Sequence, residues 1–392
     1  METRPEVVIV GAGPVGLLAA LHLKQRDIDV MIVDERERDA ARNFAVVLHP
    51  RTVAMLGDLG LVEPIRWQGR TFRHVVVFAD GERRARLTLP VEVHHAEGAL
   101  TLPQNVLRTT LEHALVALGV EVKYGLHFAS LEQDADEVRG RFFRTDASAR
   151  GKHASESEEL CVVSRFLIGA DGHRSTVRET LGSPMINVGP LQSFAFFDVP
   201  EPAPSGDNVE LVLGARSAAV YPIHGERTRY SLELESPPSA PLGRAELRTL
   251  LERRLPWHVP AADDIEWSGA RIFRRALAER FGHGRVWLAG DACHQTSPLG
   301  VQSLNVGLRE AADLAHALSD CLDGRHPEHL VVRYAEERRL EWRRLLGFGT
   351  EPTRARQMPT WAKAHVTELV SCLPASGDEL DHLLDQLDLM LL

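Results

Sequence analysis

Near the start of the chain an apolar run, VVIV, breaks into GAGPVG and continues as LLAALHL, and no other feature restricts the fold as strongly. Val7 to Val10 and Val30 to Val33 have the unbroken apolar character of parallel strands buried on both faces. Leu17, Leu18, Leu21 and Leu23 lie between them as an apolar helix, so the segment reads as a βαβ unit. Within the turn, Gly11 permits the tight reversal, Gly13 lets a phosphate approach the backbone, and Gly16 lets the helix pack closely on the strand. The helix start then faces a pyrophosphate with unpaired N–H groups. Eighteen residues after Gly16 comes Asp34, at the end of the second strand, where a carboxylate can accept hydrogen bonds from the adenosine ribose hydroxyls. These residues predict dinucleotide binding and leave the choice between FAD and NAD open.

Two further apolar runs, Phe166 to Ile168 and Val286 to Ala289, end in Gly-plus-Asp turns and are expected in the same sheet. The nucleotide domain is thus assembled from distant segments, residues 1–182 together with 276–345. Between Val138 to Arg144 and Cys161 to Ile168, the polar stretch TDASARGKHASESEE reads as an exposed hairpin tip. From about Pro184 the texture becomes β-rich: Tyr230, Leu232 and Leu234 alternate with Ser231, Glu233 and Glu235, the pattern of a half-buried antiparallel strand. Residues 183–275 are therefore expected to form a substrate domain, followed by helices from Leu304 and a C-terminal helical segment, 346–392. The fold class is α/β, a Rossmann-like domain with a β-rich domain and C-terminal helices.

A net charge of −10 without a basic, aromatic-interleaved stretch argues against nucleic acid as a partner. No signal peptide and no membrane-spanning run is read, so the expectation is a cytoplasmic monomer or homodimer. Cys161, Cys293, Cys321 and Cys372 are widely spaced and show no metal-ligand pattern, which predicts reduced thiols.

The second motif is Gly169-Ala170-Asp171-Gly172, a turn between a strand and a short helix, whose Asp171 can reach groups near a diphosphate. Taken alone, an Asp-Gly pair is only a turn. The third, RVWLAGDACHQTSPLGVQSLNVGLRE at residues 285–310, sets Asp291 where a ribityl chain runs and heads a helix at Leu304 and Asn305. Backbone N–H groups at such a helix start stabilise negative charge on a reduced flavin.

With the three motifs in this order, the chain resembles the group A flavoprotein monooxygenases, the para-hydroxybenzoate hydroxylase family, over roughly residues 5–345. NFAVVLHPRTVAMLGDLGLVEPI and LPQNVLRTTLEHAL resemble further stretches of that family. The resemblance implies Asp34 at the adenosine ribose, Arg42, Gln104 and Arg108 at the diphosphate and ribityl region, Asp291 at the ribityl chain, and Leu304 and Asn305 at the isoalloxazine. Gly300 keeps the family's loop, and Pro298 matches a proline whose backbone lies near the reacting edge. Val301 and Ser303 stand where glycines are common, and Glu310 where aspartate is usual.

The implied chemistry is reduction of resident FAD by transient NAD(P)H, capture of O₂ as a C4a-hydroperoxyflavin, and hydroxylation or epoxidation of an aromatic or polyketide-like substrate. Such chemistry needs no catalytic triad or metal. Phe194, Phe196, Leu211, Leu213, Tyr221 and Ile223 have strand spacing and either line an apolar substrate pocket or form ordinary sheet core. His294 and Cys293 are read as structural. Two alternatives remain, a reductase or dehydrogenase of the geranylgeranyl-reductase type and a flavin-binding protein without turnover.

Overall fold

The computed structural model describes residues 4–36, 47–90, 98–144, 159–239, 242–258, 265–324, 329–348 and 358–390. Strand β1 (Val7–Val10), helix α1 (Pro14–Lys24) and strand β2 (Val30–Asp34) form the expected βαβ unit. β1 pairs in parallel with β2 on one side and with Phe166–Gly169 on the other, in the registers Val7↔Val30 and Val7↔Phe166. Val286–Leu288 joins in parallel beyond Phe166–Gly169, and Gly282–His283 and Lys123–Tyr124 complete a six-stranded sheet. All four apolar runs therefore lie side by side, three of them ending in glycine-bearing turns and Val30–Val33 in Asp34, at one sheet edge. Helix α1 is buried along nearly its whole length, between the sheet and the helices Gln104–Ala117 and Gln302–Leu322. That is why its sequence is apolar all round rather than striped.

Val138–Arg144 pairs antiparallel with Glu159–Ser164, and the tip of that hairpin, residues 145–158, lies outside the described residues. The apolar run after it splits at Arg165. Glu159–Ser164 stays in the hairpin, and Phe166–Gly169 enters the nucleotide sheet.

The second large sheet has seven strands, in the order Trp267–Phe273, Gln192–Val199, Arg227–Leu234, Ala218–Ile223, Val209–Leu213, His74–Ala79 and Glu82–Thr88. Its last two strands come from the N-terminal half of the chain, outside residues 183–275, and His74–Ala79 pairs in parallel with Val209–Leu213. One face, with Ala195, Phe197, Tyr230 and Leu232, packs on the helix Arg244–Arg254. The opposite face, with Phe194, Phe196, Leu211 and Tyr221, packs into a core shared with the C-terminal residues Leu369, Leu373, Leu380 and Leu384. Arg227–Leu234 is therefore buried on both sides, against the half-buried reading of its alternation. Ser231 and Glu233 are as enclosed as Tyr230 and Leu232, because the chain's last helices cover the face that alternation assigned to solvent.

Candidate cofactor site

The glycine turn shows why it contains glycine. Gly11 has φ +107°, and a Cβ there would lie 2.3 Å from the Ala170 carbonyl oxygen, so the first motif packs directly on the second. A Cβ at Gly16 would lie 1.9 Å from the carbonyl oxygen of Gly11. At Gly13 nothing lies within 4 Å of a Cβ position, so the space before this residue is open. Helix α1 starts there with no side-chain cap and no acidic residue in its first turn, which leaves its N–H groups and positive dipole end facing that space.

Asp34 is buried at the end of β2. Its Oδ2 accepts from Ala12 N and Arg36 Nη2, both at 2.8 Å, and its Oδ1 accepts from Arg36 N and Nε, both at 2.9 Å. Burial pushes its carboxyl up, but the Arg36 fork prevails and holds it below the usual carboxylate range. The lone pairs assigned to ribose hydroxyls are thus held by Arg36. Asp34 lies opposite Tyr124 in the sheet, and the Tyr124 hydroxyl accepts from Arg108 Nη1 at 3.2 Å. Arg108 also pairs with Glu112 at 3.0 Å, while Gln104 opens the same helix one turn earlier. Arg42 lies outside the described residues.

Asp171 Oδ2 accepts from Val177 N at 3.1 Å, and the neighbouring Ser175 caps the helix Thr176–Thr180 by accepting from Arg178 N at 2.9 Å. The other oxygen, Oδ1, is buried without a partner, and burial pushes this carboxyl above its ordinary value.

The third motif joins the first through a contact that the sequence did not announce. Gly290, at φ +67°, would set a Cβ 3.0 Å from Val15 Cγ2, and a Cβ at Gly307 would lie 3.0 Å from the same methyl and 3.1 Å from Gly290 Cα. The first turn of α1, the Gly290–Ala292 turn and the helix Gln302–Leu322 therefore close on one another around the Val15 side chain. Asp291 is exposed, and its Oδ1 accepts from Ser303 Oγ at 2.7 Å. Glu310 Oε2 accepts from Gly290 N at 2.8 Å, so the longer acid reaches the backbone of the turn.

Val301 precedes the helix Gln302–Leu322 in the left-handed region, at φ +49°. The N–H groups without an acceptor inside the helix belong to Gln302, Ser303 and Leu304. Asn305 departs from the sequence reading. Its N–H already donates to Val301 O, and its buried amide donates to Val47 O at 2.9 Å and Val301 O at 2.8 Å while accepting from His49 N at 2.8 Å. It ties the HPRT stretch to the loop rather than opening the helix.

The loop itself is fixed from several sides. Pro298 O accepts from Val301 N at 3.3 Å, and the Tyr221 hydroxyl donates to Leu299 O. His49 Nε2 lies 2.9 Å from Gly300 O, and burial pulls that imidazole down to about 3. A Cβ at Gly300 would lie 2.7 Å from Leu373 O, and Gln302 Nε2 donates to Val370 O at 2.6 Å. Sequence reasoning missed His49, Gln302 and the segment 370–376. The HPRT stretch was a signal for the first, whereas nothing local marks the others. Phe194, Phe196, Leu211, Leu213, Tyr221 and Ile223 do share one face, and all are buried in the core beneath this loop.

The model of a family described as the FAD binding domain matches residues 4–348. The chain belongs to this FAD-binding family. Among curated relatives, 6-methylpretetramide 4-monooxygenase of Streptomyces rimosus is 30% identical over 346 residues, covering 85% of this chain and 59% of that protein. Rifampicin monooxygenase of Rhodococcus hoagii is 29% identical, covering 85% of this chain and 68% of that one. The chain thus spans about three fifths to two thirds of the length of these relatives. Among solved structures, p-nitrophenol 4-monooxygenase of Pseudomonas putida superposes with a TM-score of 0.76 at 24% identity, covering 99% of this chain and 94% of that one. Anhydrotetracycline hydroxylase of Streptomyces rimosus gives 0.70 at 27% identity, covering 95% and 70%.

The family's cofactor, FAD, suits the residues present. The open space at Gly13 and the uncapped start of α1 suit a pyrophosphate, and the orphaned Asp171 Oδ1 lacks only a donor. The free N–H groups from Gln302 to Leu304 suit the electron-rich side of a flavin ring. Among the described residues no helix is long and apolar enough to cross a membrane.

Proposed function

We propose that this chain is a single-component FAD-dependent monooxygenase that uses NAD(P)H and O₂ to hydroxylate or epoxidise an aromatic or polyketide-like substrate. The observation that carries the reading is the closure of Val15, Gly290 and Gly307 on one another, which joins the phosphate turn to the loop whose helix opens at Gln302. Relatives named as monooxygenases of 6-methylpretetramide and rifampicin support the same reaction class. Bound FAD supplies the redox chemistry that draws electrons from a nicotinamide and activates O₂.

The protein's share is positioning and exclusion of water. Gly11, Gly13 and Gly16 seat the pyrophosphate, Asp34, Arg42, Gln104 and Arg108 serve the adenosine and diphosphate side, and Asp171 receives a donor from the cofactor. Asp34 would take the ribose hydroxyls in place of Arg36, whose guanidinium now holds both carboxylate oxygens. Asp291 would hold the ribityl hydroxyls, and the N–H groups of Ser303 and Leu304 would stabilise negative charge on the flavin ring. Pro298, Leu299 and Gly300 form the wall at the reacting edge, beside the face carrying Phe194, Phe196 and Tyr221. The enzyme works in the cytoplasm as a monomer or homodimer, with no nucleic-acid partner.

The test is a screen of phenols and polycyclic aromatics for compounds that accelerate NAD(P)H oxidation by the FAD-loaded protein, followed by mass analysis under ¹⁸O₂. One ¹⁸O atom per product is expected. NAD(P)H oxidation without oxygen incorporation for every accelerating compound contradicts the proposal.

A further inference from the structure

Five side chains at the opening of the helix Gln302–Leu322 form one continuous hydrogen-bonded chain. It begins at exposed Asp291, whose Oδ1 accepts from Ser303 Oγ at 2.7 Å. Ser303 Oγ lies 3.2 Å from His294 Nδ1, and His294 Nε2 lies 2.9 Å from Glu310 Oε2. Glu310 also accepts from Gly290 N and from Trp342 Nε1, each at 2.8 Å, and both His294 and Glu310 are 0% exposed. The Trp342 ring lies on the imidazole with centroids 3.8 Å apart and planes 17° from parallel.

The direction of the chain follows from the donors available. A serine hydroxyl has one proton, and here it goes to the Asp291 carboxylate, so the same oxygen receives the His294 Nδ1 proton. The contact of His294 Nε2 with Glu310 Oε2, at 2.9 Å, holds the opposite edge of the ring. Three contacts on Glu310 and the stacked indole leave the imidazole no room to turn. Order is therefore passed outward, from buried Glu310 to the imidazole, to the hydroxyl, and then to one rotamer of a carboxylate in solvent. An exposed aspartate without such backing surrenders rotamer freedom when it binds a ligand, and that entropy is subtracted from affinity.

We propose that Ser303 is a positioning residue for the cofactor, passing the rigidity of the His294–Glu310–Trp342 cluster to Asp291 so that its carboxylate is preset for the ribityl hydroxyls. This rests on the reading that Asp291 faces FAD. Ser303 occupies the second position of the helix, so removing its hydroxyl leaves the helix opening intact and cuts only the link between Asp291 and His294.

The experiment is FAD titration of the apoprotein for wild type, Ser303→Ala, Ser303→Thr, Asp291→Ala and the Asp291→Ala/Ser303→Ala pair, with apoprotein melting recorded for each. Ser303→Ala is expected to weaken FAD binding about tenfold, the scale of one charge-assisted hydrogen bond. Its melting temperature should fall modestly, because the buried His294 Nδ1 loses its partner, and Ser303→Thr should restore the melting temperature and bring affinity back to within about twofold. Adding Ser303→Ala to Asp291→Ala should change nothing further. If Asp291→Ala weakens binding while Ser303→Ala does not, the Ser303 proposal is overturned and the reading of Asp291 stands. Wild-type affinity in Asp291→Ala overturns both. An equal loss from Ser303→Ala in the two backgrounds shows that Ser303 acts without Asp291, which also overturns the proposal.

Discussion

The turn at residues 11–16 and the loop at residues 298–302 both bring backbone against backbone at the cofactor site, but they are held in different ways. Gly16 is pressed by the carbonyl of Gly11 and Gly11 by that of Ala170, so the turn is fixed by its own strand, its own helix and the adjacent strand. Gly300 is pressed by the carbonyls of Ser371 and Leu373, and the atoms around it are pinned by His49, Tyr221 and Gln302. The first arrangement is local geometry repeated in any βαβ unit of this kind. The second is a meeting of four segments from across the chain. Local geometry leaves its mark as a motif, while a tertiary meeting leaves only scattered polar residues.

The contrast is broken most severely at the turn. Gly16→Ala places a methyl 1.9 Å from a backbone oxygen that has no flexible side chain to yield, so loss of soluble folded protein is expected on expression. Folded Gly16→Ala with a wild-type melting curve would contradict the packing described. Next comes Glu310→Ala, which leaves the buried donors of His294, Gly290 and Trp342 without an acceptor. A stability loss of about 3–5 kcal/mol is expected in urea denaturation, the scale for breaking a buried polar pair. A loss below about 1 kcal/mol removes the cluster from the account.

Acid sharpens the comparison, because buried histidines serve both regions. Burial lowers His22 of α1 to about 4, His49 at the loop to about 3, and His258, which meets Tyr230 of the second sheet, to about 4. Each is neutral when folded and binds a proton near pH 6.5 when unfolded. Their stabilising effect is therefore complete above pH 6.5 and is lost as pH falls toward 4, by at most about 1.4 kcal/mol per pH unit for each histidine. The urea midpoint should fall between pH 7 and pH 5, and a midpoint that rises over this interval contradicts the assignment. The smallest change is Tyr221→Phe, which removes one hydrogen bond to Leu299 O. It should cost about 1–2 kcal/mol and leave FAD affinity nearly unchanged, since the turn and Asp291 are untouched. A large loss of FAD affinity would mean that the loop's wall also grips the cofactor.

The legible parts of the sequence share a physical character. VVIVGAGPVG could be read because three glycines, a buried strand and an apolar helix occupy adjacent positions, and the two later Gly-Asp turns followed strands of the same kind. Asp34, Asp171 and Asp291 lie at the ends of the strands or turns expected of them. The alternation of residues 230–235 misled because a strand's two faces are exposed or covered according to what packs on them, and the covering residues begin more than a hundred positions later. Asn305 was assigned to the helix opening from its place in the motif. Its amide instead serves residues 47–49, a choice made by side-chain geometry that no spacing encodes.

The central claim is that the open face at Gly13, and not the strain relieved at Gly11 and Gly16, is the seat of the cofactor's pyrophosphate. Gly13→Ala tests it directly, because a Cβ there meets no protein atom within 4 Å. FAD titration and thermal melting of the same apoprotein preparation are predicted to show an unchanged melting temperature with FAD affinity reduced by about tenfold or more, the scale of a methyl group forced into a close phosphate contact. Wild-type affinity in Gly13→Ala, or a fall in affinity that merely follows a fall in melting temperature, contradicts it.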